Sequence, residues 1–165
     1  MGADDGQREQ QAGLWKQPPV AKVYEAFGAV AGGRVALTGA GHALVTSSNG
    51  ERTYDVWWDD GDGVFSSDNA SKFQGYTGYP IIAVLLALGR LHADPAVMAP
   101  LAGVDWHALN QRFKRRYDDA VAHVLAEARA AGADSDAIVA AAEDVAAQLA
   151  GIRLRRLSGR RAAGA

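Results

Sequence analysis

Cysteine is absent from the 165-residue chain, which removes disulfides, thiolate zinc sites and cysteine nucleophiles together. No apolar run approaches the roughly 20 residues that cross a bilayer, and residues 1–17 hold no apolar stretch of signal-peptide type. These absences lead us to expect a cytoplasmic protein with no membrane partner. A strongly basic balance is missing too. The net charge is −2, which argues against a protein that coats nucleic acid along its length. No Gly-x-Gly-x-x-Gly follows a strand pattern and no phosphate-cradling Lys-Ser/Thr motif occurs. Gly28, Gly32, Gly33, Gly39 and Gly41 therefore read as helix stops and strand turns.

What is present points first to Gly78-Tyr79-Pro80 and the run Ile81 to Leu88, in which no side chain carries a polar atom. Pro80 suits a first helical position and Gly89 a stop. A helix apolar on every side must be covered on every side, so the run predicts a central buried helix. A buried strand is the rival, because Ile81, Ile82 and Val84 are β-branched. Leucine content and the Pro/Gly bracket favour the helix.

The rest of the chain fits an α+β domain of 18–93 with an appendage at 94–158, preceded by a flexible leader at 1–17 and followed by a frayed tail at 159–165. Val20, Val23, Tyr24, Phe27 and Val30 form an amphipathic stripe stopped by Gly32-Gly33. Period then shifts to two residues. Arg34 to Thr38, His42 to Thr46, Glu51 to Trp58 and Val64 to Ser66 predict an antiparallel meander, with Asn49-Gly50 as its hairpin turn. Alternation puts Tyr54, Val56 and Trp58 on one face and Trp57 on the wet one. Asp105 caps a long helix expected through Ala131, Gly132 breaks it, and Asp134 or Ser135 restarts it. Ile138, Ala142, Val145, Leu149 and Ile152 then step by four and three, a seam for a helical hairpin. That seam predicts mostly monomer with at most a weak dimer.

No pattern carries chemistry outright. Asp59-Asp60-Gly61-Asp62-Gly63 lacks the twelve-residue ligand alternation of a calcium loop and reads as a solvated turn. His42, His92, His107 and His123 are scattered, and the pairs Asp119/His123 and Asp105/His107 fall short of the three or four ligands a metal needs. Ser66, Ser67 and Ser158 lie in no nucleophile elbow. We expect no metal and no cofactor. Two surfaces remain. Trp57, Asp68, Asn69, Lys72, Phe73, Gln74, Tyr76 and Tyr79 mix aromatic and polar groups on a long connection, suited to an unknown protein partner or to folding back over the core. Arg112, Lys114, Arg115 and Arg116, with Arg153, Arg155 and Arg156, suit either phosphate contacts or a solvated helix face.

The layout strand–turn–strand from Ala43 to Val56, turn at Asp62-Gly63 and helix Ile81 to Leu88 resembles a SWIM domain, a small zinc-binding module. The places of that family's Cys-x-Cys and Cys-x-His are taken here by Ser66 with Asp68 and by Gly78 with Pro80. The resemblance, over residues 32–91, implies a ββα core whose metal is replaced by packing. It also implies DNA binding or protein interaction, the family's associations. Our leading expectation is a non-enzymatic protein-interaction module. A nucleic-acid binder is the alternative, and a small enzyme with a site assembled only in space comes third.

Overall fold

Helix α1 (Ala21–Ala31) is buried along its whole length from Ala21 to Ala29, Lys22 and Glu25 included. Its apolar stripe alone predicts a helix with one wet face. The small residues Ala21, Ala26, Gly28 and Ala29 instead let neighbours close on the other sides. Gly28 is a close approach: a Cβ there would stand 3.0 Å from the Leu101 carbonyl oxygen and 3.1 Å from Trp106 Nε1. The computed structural model describes residues 13–158. The expected tail at 159–165 and most of the expected leader lie outside those residues.

Helix α2 (Tyr79–Ala87) packs on α1. Pro80 stands in its first turn, and Ile81 to Leu85 are buried on all sides. Burying an Ile, Val or Leu side chain contributes about 1.5–3 kcal/mol, so this short helix and α1 form the centre of the core. The rival strand for this run is not observed.

Against them lies a sheet of β1 (Val35–Gly39), β2 (His42–Thr46), β3 (Thr53–Trp58), β4 (Gly63–Ser66) and β5 (Arg155–Arg156), in that order. The first four strands form the expected antiparallel meander. Ala43, Val45, Val56 and Val64 point into the core, while His42, Asp55, Trp57 and Phe65 share the opposite face. Trp57 stands where alternation places it. At the hairpin, Asn49 Oδ1 accepts from the Glu51 N–H at 3.0 Å and the Ser47 hydroxyl at 2.7 Å. In the acidic turn Asp59 Oδ1 accepts from the Gly61 and Gly63 N–H groups at 2.9 and 2.8 Å, as a solvated turn requires.

Three local expectations are corrected. Residues 13–17 are not loose: Trp15 N–H donates to the Leu154 carbonyl at 2.9 Å, its indole N–H to the Val64 carbonyl at 3.1 Å, and Lys16 N–H to the Gly75 carbonyl at 2.9 Å. Arg155 and Arg156 are not part of a helical end but a fifth strand, parallel to β4. The helix expected from 105 to 131 is two helices, α4 (Trp106–Arg112) and α5 (Tyr117–Ala130), preceded by the short α3 (Pro95–Met98) and a 3₁₀ turn at Ala99–Leu101. The Asp105 carboxylate caps α4 by accepting from the Ala108 N–H at 3.0 Å, as predicted.

Helix α6 (Ser135–Ala150) is capped by Asp134 and pairs with α5. Its seam of Ile138, Ala142, Val145 and Leu149 is buried in the same cluster as Val23 and Phe27. The architecture is α+β, and among the described residues no helix is long and apolar enough to cross a membrane.

Candidate functional site

The break between α4 and α5 opens a cavity of about 570 Å³, inside the roughly 300–1,000 Å³ range of small-molecule sites. Its wall comes from four places in the chain. Helix α1 and its stop give Glu25 and Arg34, the hairpin and β3 give Ser47, Ser48 and Tyr54, α2 gives Tyr79, and residues 106–117 close the circle.

The mouth is built from strained backbone. Helices α1, α2 and α5 each stop at a glycine of positive φ, Gly33, Gly89 and Gly132, whereas α4 stops at Lys114 (φ 52) followed by Arg115 (φ 64). The turn closes like a glycine stop, with Lys114 N–H on the Gln111 carbonyl at 3.1 Å and Arg115 N–H on the Asn110 carbonyl at 2.8 Å. A side chain in this left-handed region costs roughly 1–2 kcal/mol per residue, and two in succession are uncommon. Strain of this kind concentrates at ligand clamps and active sites. Both strained residues here carry a cation and line the cavity.

The floor holds a buried ion pair. Glu25 is 5% exposed, and its Oε1 accepts from the Asn110 amide at 2.9 Å. Lys22 Nζ lies 2.9 Å from Oε2, an ion pair between two buried groups. The indole N–H of Trp106 is buried and without a hydrogen-bond partner among the described residues. Burial alone would push the Lys22 ammonium down, but the Glu25 carboxylate outweighs it and holds Lys22 above the ordinary lysine value. Burial, with Tyr54 alongside, raises the Tyr79 phenol well above its ordinary range. Tyr79 is therefore a neutral hydroxyl at the cavity wall, set edge-on to the Tyr54 ring at 6.3 Å between centroids. Arg34 is positioned by its own donation to the Thr46 carbonyl at 2.7 Å. None of Arg34, Lys114 and Arg115 makes an ion pair among the described residues.

One family model, described as "Uncharacterised conserved protein UCP014422", matches residues 15–155. The chain belongs to that family. A search of curated proteins and a search of solved structures found no match.

In this UCP014422 member the residues singled out from sequence are dispersed. Of the mixed aromatic set, only Tyr79 reaches the cavity. Phe73, 76% exposed, stands with Lys72 and Gln74 on a π-helical turn at Ala70–Gln74, beside exposed Asn69 and half-buried Tyr76. Trp57 is on the far side of the sheet, stacked on His42 at 3.9 Å, and His42 Nε2 meets Asp55 at 2.8 Å. Asp68 is buried and is not a surface contact: it accepts from the Ser66 hydroxyl and, at 3.0 Å, from the Ser71 N–H. Gly78 closes that network, since a Cβ there would overlap Asp68 and stand 2.9 Å from Ser71 Oγ.

The basic set divides. Lys114 and Arg115 line the cavity, Arg112 lies over the Phe113 ring at 5.3 Å, and Arg116 pairs with Asp119 at 3.3 Å. Arg155 and Arg156 sit on the sheet edge, the first paired with Asp59 at 2.9 Å and the second over Trp15 at 5.0 Å, with Arg153 exposed nearby in sequence. His123 meets Glu127 at 3.2 Å, not Asp119. Among the described residues no group of three or more His, Asp or Glu could hold a metal. The cavity residues that sequence reasoning missed include Glu25, Arg34, Tyr54, Trp106, Asn110 and Tyr117. A signal for Glu25 was available in the small residues around it on α1, which let that helix be enclosed.

Proposed function

We propose that this protein is a ligand-binding module whose site is the cavity between α1, β3 and the α4–α5 break, and that its ligand is a small organic anion. The observation that carries the reading is the pair of left-handed cationic residues, Lys114 and Arg115, at the cavity mouth. Glycine would make the same turn without strain. The side chains held there instead are two cations with no acidic partner among the described residues. The unpartnered indole N–H of Trp106, a residue of the cavity wall, supports it, because such a group calls for an explanation in a folded protein.

The test is a calorimetric titration with inorganic pyrophosphate and with citrate at low and physiological salt. Wild type should bind pyrophosphate, whether or not it also binds citrate, and more weakly as salt rises. Lys114→Gly/Arg115→Gly should remove that binding while remaining folded. Equal binding by the double variant would overturn the reading.

A second reading, a protein-interaction module on a metal-free SWIM-like core, is favoured by Phe73, whose ring is 76% exposed among polar neighbours. The hydrogen bonds that join Ser66, Asp68 and Gly78 through Ser71 support the metal-free part, as those three stand at places where that family has ligands. Phe73→Ser should abolish recovery of a specific partner that Lys114→Gly/Arg115→Gly still recovers. The nucleic-acid alternative is weaker, because Arg116 and Arg155 are engaged by acids. We place the protein in the cytoplasm, a setting that the absence of cysteine supports.

A further inference from the structure

We infer that the cavity takes a phosphate monoester carried on a planar ring, the chemistry shared by nucleoside monophosphates and flavin mononucleotide; this rests on the anion-binding reading. The charge count favours an anion of more than one charge. Lys22 balances Glu25 within the floor, which leaves Arg34, Lys114 and Arg115 as the cations facing the ligand. A carboxylate supplies one negative charge, whereas a phosphate monoester carries about −1.5 to −2 at neutral pH with three acceptor oxygens. Arg34 adds a guanidinium held by its Nη1 donation to the Thr46 carbonyl, with its other N–H groups as phosphate donors. The neutral Tyr79 hydroxyl adds a donor that does not repel it.

The rest of the wall sets the ring. Tyr54, Tyr79, Trp106 and Tyr117 line the same cavity as the cations. Aromatic rings beside a cationic rim suit a flat ligand with a charged end, since stacking on an aromatic tolerates any planar base. The volume of about 570 Å³ admits such a molecule. A sugar phosphate or a tricarboxylate would leave the aromatic wall unused.

The experiment is isothermal titration of the full chain with AMP, UMP and FMN, each against adenosine, ribose 5-phosphate and citrate. At least one of the three ring phosphates should bind ten-fold or more tightly than adenosine and ribose 5-phosphate. The nucleotide and flavin arms distinguish the two sources of the shared chemistry. Tyr54→Leu should lower affinity for the ring phosphate and leave ribose 5-phosphate unchanged. Arg115→Ser, on the exposed rim, should lower both, and thermal melts of each variant check that it is folded. Citrate or ribose 5-phosphate binding as tightly as every ring phosphate would overturn this inference and leave the anion-binding reading standing. Binding of no anion at all would overturn both.

Discussion

Lys114 shows how little of the site is written in local sequence. Nothing between Asp105 and Ala131 is a glycine or a proline, so propensity predicts one continuous helix. The break is enforced from outside, where Trp106 docks beside Gly28 and Asn110 bonds Glu25, while Tyr117 receives the Lys22 ammonium 4.5 Å from its ring centre. The strain has a measurable consequence. Lys114→Gly should raise unfolding stability by about 1 kcal/mol, a shift of about 2–4 °C in Tm for a chain of this size. Denaturation in urea and by heat checks it, and a less stable variant would mean that the lysine packs favourably in its turn. The floor predicts a pH response. Tyr79 and Lys22 both hold their protons above ordinary values in the folded state. Their contribution is therefore fully present below about pH 10 and is lost as pH rises through the folded values. Urea midpoints should fall steadily above about pH 10, and Tyr79→Phe should make that fall shallower. An unchanged slope in Tyr79→Phe would show that the phenol ionises as freely folded as unfolded.

Elements were legible where a pattern is local. The apolar run with its Pro80 and Gly89 bracket specified α2, and alternation specified four strands and the outward face of Trp57. Asp105 and Asp134 marked helix starts that the structure keeps. Strand β5 was illegible because two arginines carry no strand signal of their own, and only the edge of β4 makes them one. The connection from Asp68 to Tyr79 is visible as unusual in length, but nothing local in it marks Asp68 as buried. Asp68→Ala should cost about 1–3 kcal/mol, the penalty for leaving a buried donor unpaired, and should loosen the entry to α2. Hydrogen exchange at Ser71 and Gly78 reports it directly; unchanged protection would show that the carboxylate does not hold this segment. Leu85→Asp is the harsher change at the core. A charge there costs several kcal/mol against a total of about 5–15, so the variant should be insoluble or molten.

At the scale of the whole molecule, the fold class followed from the order of periodicities and the site did not. Its wall draws on positions from Glu25 to Tyr117, brought together by packing between elements far apart in sequence. The α6 seam, buried within the chain, leads us to expect mostly monomer by sedimentation at micromolar concentration. The most direct test of the central claim is a residue-resolved NMR titration of the intact protein with pyrophosphate. Amide shifts should gather on the hairpin at Ser47 and Ser48, on Tyr54 and Tyr79, and across residues 106–117. Shifts confined to Phe73, to Trp57 or to the Arg155-Arg156 edge, or none anywhere, would contradict it.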